Sequence, residues 1–187
     1  MKTMKIFLAG LLVLSGLLGH FVNSSSQDVK PDKKSRKEAK KAQLTANFYV
    51  LDSLLRSGRY VLEADFLQNK YGTRISVPPM LNFIRVDGPK GVLQTGSDTR
   101  VGYNGVGGVT AEGSIVDYRI TNDFKNLSSS VTFNLISTLG NFDIFLTVSA
   151  DNNSTATISG ATSGRLTWDG HLVTLKNSRA FKGTNTY

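Results

Sequence analysis

Glu63 and Asp65 lie two residues apart in a stretch of alternating apolar residues, so both carboxylates project from one face of a strand. A carboxylate pair is the machinery of glycoside hydrolysis. Two positions on one strand do not by themselves set carboxylates on opposite sides of a sugar, and the competing reading is a pair facing solvent. His171 is the only histidine beyond His20. A Ser-His-Asp relay needs a nucleophile turn of the form G-x-S-x-G, and none occurs, so His171 reads as a surface or half-buried structural residue. Asp151-Asn152-Asn153 opens like a calcium loop but lacks the glycine at its sixth position and the glutamate at its twelfth, which leaves a solvated turn. The segment Gly102–Gly108 has the glycines of an anion cradle. It lacks the Lys-Ser/Thr of a phosphate loop and leads into a strand, not a helix. Glycines supplying positive φ or close backbone approach are the simpler reading. Tyr103 and Asn104 in that segment, and Trp168, join polar atoms to contact surface, which makes them the candidate ligand-binding residues. Packing within a strand is the competing role for Trp168.

Other chemistries are excluded by composition. The chain has no cysteine, hence no thiol nucleophile, thiolate zinc site, disulfide or lipid-anchoring cysteine. One histidine after position 20 cannot build a multi-histidine metal centre. No catalytic residue, metal or cofactor is therefore assigned. The net charge of +8 is concentrated near the N-terminus. Residues 27–47 hold seven Lys and Arg against three acidic residues, whereas the chain from Phe48 onward has 13 basic and 11 acidic residues. A nucleic-acid partner is not expected, since the basic segment has no interleaved aromatics before Phe48. Its three remaining readings are an anionic lipid surface, an acidic partner, and a solvated helix face.

These residues need elements to position them. Ser35 and Glu38 have capping-box spacing, and Leu44, Phe48, Leu51 and Leu55 follow at steps of four, three and four, which predicts a helix over 35–57 closed by Gly58. Its second half is expected to bury Phe48, Leu51 and Leu55, with Lys33, Lys34, Lys37, Lys40 and Lys41 left in water. From Arg59 the period is two. Tyr60, Leu62, Ala64 and Phe66 alternate with polar or outward residues, as do 131–135 and 142–150, and further strands are predicted at 81–87, 91–96, 109–120, 155–160, 164–169 and 171–175. Asp87-Gly88-Pro89 and Asp151-Asn152-Asn153 mark turns, and Asp169-Gly170 predicts a two-residue hairpin. The expected fold is mainly β: an antiparallel lipocalin-like or half-open barrel of about eight strands with one N-terminal amphipathic helix, with a β-sandwich plus helix as the alternative.

Several segments stand out together: Tyr60-Val-Leu-Glu-Ala-Asp65, Leu81-Asn-Phe83, Gln94-Thr-Gly-Ser97, Gly102-Tyr-Asn-Gly-Val-Gly-Gly108, Thr157-Ile-Ser-Gly160, Leu166-Thr167, Gly170-His-Leu172 and Ser178-Arg179. In this order the chain resembles the domain of unknown function 4251 family, exported proteins of Bacteroidetes. The resemblance implies a Gram-negative periplasm or outer surface and implies no activity.

Lys2 and Lys5 precede the apolar stretch Ile6–Leu18, with small residues around position 25. At 13 residues the stretch is too short to span a bilayer, which takes about 20. The pattern is that of a cleavable signal peptide over residues 1–26: Val22 and Ser24 fit a cut before Ser25, and Ser24 and Ser26 fit a cut before Gln27, the preferred site. A polar linker, 27–34, and one β-rich domain, 35–187, follow. No transmembrane segment is expected, and the mature protein should be soluble and periplasmic or extracellular. The leading expectation is a non-enzymatic binder of an apolar small molecule or lipid, walled by the apolar faces of Tyr60–Phe66 and Phe142–Ala150. The rival is a structural module that contacts another envelope protein. A carbohydrate-active enzyme using Glu63 and Asp65 stands third.

Overall fold

The computed structural model describes residues 32–99, 101–160 and 164–187. The expected signal peptide and most of the polar linker lie outside the described residues. Helix α1 (Lys33–Ser57) leads into β1 (Arg59–Asn69), β2 (Arg74–Ser76), β3 (Phe83–Asp87), β4 (Lys90–Thr95), β5 (Val109–Asp123), β6 (Ser128–Ser137), β7 (Gly140–Ser149), β8 (Ser154–Ser159) and β9 (Arg165–Thr174). From β3 onward each strand pairs antiparallel with the next, and β9 returns to β1 along almost its full length, from Tyr60↔Thr174 to Asn69↔Leu166. Strands β1 and β3–β9 thus form a closed eight-stranded antiparallel barrel. Strand β2 is an extra strand on the far half of β1. Closure pairs the last strand of the meander with the first, an outcome that a two-sheet sandwich does not reach.

An eight-stranded barrel is just wide enough for its own side chains to fill, and this one is filled. Tyr60, Leu62, Ala64, Val86, Val131, Phe133, Leu135, Ile144, Leu146, Val148 and Leu172 all point inward and are buried. The expectation of a ligand cavity walled by Tyr60–Phe66 and Phe142–Ala150 is therefore corrected. Those faces are mostly packed core, and Phe142 alone among them reaches open space at one mouth.

Helix α1 closes one end. Phe48, Leu51 and Leu55 are buried against the barrel, and residues 33–43 are all exposed, as the change from basic to apolar character predicts. Gly58, at φ +59°, turns the chain straight into β1. The helix begins at Lys33, two residues before the expected start, so Ser35 and Glu38 sit inside the first turns and form no capping box. Docking is polar as well as apolar. Asn122 Nδ2 donates to Asp52 Oδ1 at 2.8 Å, and Arg56 Nε donates to Asp52 Oδ2 at 2.9 Å. Burial opposes ionisation of Asp52, but these hydrogen bonds prevail and hold its carboxyl below the usual carboxylate value. The Tyr118 hydroxyl donates to Leu55 O at 2.8 Å. Burial raises the phenol pKa of both Tyr60 and Tyr118.

Two bulges rephase the strands. The register shifts between Ala64 and Phe66, so Leu67 packs toward the core while Phe66, expected inside, lies outside beneath Arg74, whose guanidinium is 3.8 Å from the ring centroid. A second shift between Val116 and Arg119, with Asp117 at φ 56°, brings Tyr118 inward to meet α1. The Asp169-Gly170 hairpin is also corrected: β9 runs unbroken through both residues. Gly170 lies opposite the β1 bulge, where a Cβ would stand 1.9 Å from Glu63 O, so close approach and not turning requires a glycine.

The segment after β9 crosses the outer wall. Val173 near the end of β9, with Leu175 and Ala180 beyond it, covers Val61, Phe83 and Val92, which explains why outward positions of β1 are buried. Gln94 Nε2 donates to Phe181 O at 2.9 Å, and Gly183 N donates to Gln94 Oε1 at 2.8 Å.

Candidate functional site

The barrel mouth opposite α1 is formed by the ends of β4 and β8 and the starts of β5, β7 and β9. Because the inward positions of these strand ends are apolar, the mouth is an apolar pocket of about 270 Å³. Leu93, Ala111, Ile158 and Trp168 form its floor and are buried; Val109 and Leu166 stand at the rim. Gly160 leaves room for the Phe142 ring, which a Cβ there would approach to 3.1 Å. Trp168 is the only tryptophan in the chain. It is 1% exposed, and its indole N–H has no acceptor among the described residues. A buried donor without a partner costs about 1–3 kcal/mol. The outer wall carries larger depressions, two of them about 360 Å³: one across Asp117, Arg119, Asn134 and Asp143 is open and mixed in polarity, and one over Glu63, Asp65, Met80 and His171 is more enclosed.

The three candidate ligand-binding residues do not converge. Trp168 lines the pocket. Asn104 lies in the β4–β5 loop, buried, with its whole amide committed: Nδ2 donates to Thr95 O at 3.1 Å and Thr110 Oγ1 at 3.0 Å, while Oδ1 accepts from Val106 N and Gly108 N. Gly102, Gly105 and Gly107 take positive φ around it. This loop is built around its own asparagine, not around an anion. Tyr103 is 90% exposed and touches neither the pocket nor this network.

The carboxylate pair and the histidine do meet, on the outer wall. Glu63 pairs with His171 across β1 and β9. His171 Nδ1 lies 3.3 Å from Asp65 Oδ2, and its Nε2 lies 3.9 Å from Glu63 Oε2. Glu63 Oε1 accepts from the Ser178 hydroxyl at 2.7 Å and from Arg179 N at 2.9 Å. The imidazole stands between the carboxylates, and Glu63 is buried holding the C-terminal segment. A depression of about 360 Å³ lies over Glu63, Asp65 and His171, bordered by Pro78, Pro79 and Met80, but the imidazole occupies the space between the two carboxylates, so they do not face each other across it. Ser178 bonds to Glu63 and not to His171, so no nucleophile–base pair forms here. Sequence reasoning missed this role because the C-terminal segment has no periodicity that reports where it crosses the barrel.

Among the described residues, no group of three or more His, Cys, Asp or Glu side chains is arranged to hold a metal ion. No described helix is long and apolar enough to cross a membrane.

The family model named Domain of unknown function (DUF4251) matches residues 33–172. The chain belongs to this family. The match begins where α1 begins and ends within β9, so the helix belongs to the family domain. A crystal structure of a DUF4251 family protein from Bacteroides eggerthii is similar at 29% identity and a TM-score of 0.60, covering 72% of this chain and 91% of that one. No curated protein matches the chain. The family description assigns no activity, so the geometry of the two sites must carry any functional argument for this DUF4251 protein.

Proposed function

We propose that this DUF4251 protein is an exported periplasmic binder of a small apolar or amphipathic ligand, acting without catalysis at the barrel mouth opposite α1. The carrying observation is the apolar pocket itself: about 270 Å³ of space whose floor includes Leu93, Ala111, Ile158 and Trp168. That volume lies at the small end of ligand sites, which run from about 300 Å³. It suits a single ring or a short acyl chain, whose polar end would remain at the rim. The signal-like residues 1–26 support export. The commitment of Glu63, Asp65 and His171 to one another and to the C-terminal segment supports a non-catalytic role.

Trp168 makes the test direct, because the sole tryptophan reports on the pocket. Titration with octanoate and with toluene should give a saturable change in its fluorescence, with a matching adduct in native mass spectrometry. Ala111→Leu, which fills the floor, should abolish both while leaving the unfolding temperature close to the parent's. The packed barrel interior favours a second reading, a structural module that contacts an envelope protein. Absence of any saturable response and of any adduct from a periplasmic extract would leave that reading in possession.

A further inference from the structure

Two acceptors face each other on the outer wall. An ionised carboxylate only accepts, and Asp65 Oδ2 lies 3.3 Å from His171 Nδ1, so the proton of the neutral imidazole sits on Nδ1 and Nε2 carries the lone pair. Glu63 Oε2 lies 3.9 Å from that Nε2, too far for a hydrogen bond. Both donors to Glu63, the Ser178 hydroxyl and Arg179 N, bond to Oε1, and Oε2 has no hydrogen-bond partner among the described residues. The Glu63 side chain is 8% exposed, and a carboxylate so buried is costly unless its oxygens are paired. Two acceptors 3.9 Å apart share a position about 2.9 Å from each. A nitrogen with at least two N–H groups would serve both from there.

Glu63 and His171 both border the more enclosed depression of about 360 Å³. Its other charged borders are Asp65 and Arg179. Two carboxylates, one guanidinium and a neutral imidazole leave one negative charge, which a monocation balances. The rest of the border is apolar: Pro78, Pro79 and Met80. The prolines have fixed φ. Pro78 O accepts from Asn82 Nδ2 at 3.0 Å, and Met80 O accepts from Phe181 N at 2.8 Å, so this wall is held in place by the fold.

We propose that this depression binds a small primary amine with a short apolar body. The ammonium donates to Glu63 Oε2 and His171 Nε2, and the hydrocarbon lies on Pro78, Pro79 and Met80. A water molecule supplies the donors without the charge, and a quaternary ammonium supplies the charge without the donors. A proton on His171 Nε2 removes one acceptor and adds positive charge beside Glu63, Asp65 and Arg179, so that proton and the amine exclude each other. The site shares no lining residue with the barrel mouth.

The fold begins at Lys33, so residues 27–187 serve for the test. They contain one histidine, His171, and one methionine, Met80, and both border the site. Titration with n-butylammonium chloride at about pH 8, where a primary amine is charged, is followed by nuclear magnetic resonance at constant ionic strength. The His171 ring and the Met80 methyl should shift along one saturation curve, whereas tetramethylammonium and pentanoate should move neither. Glu63→Gln keeps an acceptor for Ser178 and Arg179 and turns a donor toward the ammonium. It should weaken binding about tenfold or more. His171→Phe removes only the second acceptor, at a half-exposed position, and should also weaken binding, read on the Met80 methyl. Ala111→Leu, at the barrel mouth, should leave it unchanged. Acidification should release the amine as the His171 ring signals report protonation. Equal binding of tetramethylammonium, undiminished binding by either site variant, or loss of binding in Ala111→Leu would overturn the proposal. So would the absence of a saturable shift, which would leave water as the bridging donor.

Discussion

Replacing Leu55 by alanine tests whether α1 is part of the folded unit or an appendage. Leu55 is fully buried, in one core with Tyr60, Leu62 and Phe133. Deleting its three outer carbons removes about 2.5 kcal/mol of transfer free energy at about 0.8 kcal/mol per buried methylene. A residual cavity of about 60–80 Å³ adds roughly 1.5–2 kcal/mol at about 24 cal/mol per Å³. The helix is held from one side only and can settle into part of that space, so the expected loss is about 3–4 kcal/mol. With a urea dependence of about 2 kcal/mol/M, the midpoint should fall by about 1.5–2 M. The assay uses two probes at opposite ends of the molecule: helical circular dichroism for α1 and Trp168 fluorescence for the barrel mouth. In parent and variant both should move together as one transition. A loss under about 1 kcal/mol, or a helix signal that melts first, would mean that the domain begins at Arg59 and that the burial argument is mistaken.

Asn104→Ala strips partners from Thr95 O and from the amides of Val106 and Gly108, and should cost about 2–4 kcal/mol in chemical denaturation; a neutral outcome would remove the structural role of the glycine-rich loop. Gly170→Asn distinguishes close approach from a turn: a turn glycine at positive φ tolerates asparagine, whereas a Cβ 1.9 Å from Glu63 O should destabilise the protein by about 1–3 kcal/mol. The depressed pKa of Asp52 makes its contribution to stability present above the ordinary carboxylate value near 3.8 and lost as pH falls through the lower folded-state value. Asp52→Asn should therefore lower stability at neutral pH and flatten its decline below about pH 4, read as unfolding temperature against pH; an unchanged acid slope would count against the ionised Asp52 bridge to β5.

The sequence by itself determined the helix, the change to period two at Arg59 and most strand positions, because burial of one face imposes its period on the residues whatever the final topology. Leu44 to Leu55 and Tyr60 to Ala64 carry that signal plainly, and Gly58 and Asp87-Gly88 mark real chain reversals. The absence of cysteine and the single later histidine excluded whole chemistries before any folding. What only the tertiary structure decided was non-local. Closure of β9 on β1 joins residues about a hundred positions apart, and local pattern is the same in a sandwich and a barrel. The bulge that sends Phe66 outward is set by that pairing, and so is the need for glycine at 170, which from sequence looks like a turn. Asn104 and Trp168 were candidates for the same site from residue type alone; packing committed every hydrogen bond of one side chain to its own loop and the strand ends beside it, and left the other at an apolar mouth. Whether a side chain is free to meet a ligand depends on which neighbours satisfy it first, and those neighbours are chosen by the fold.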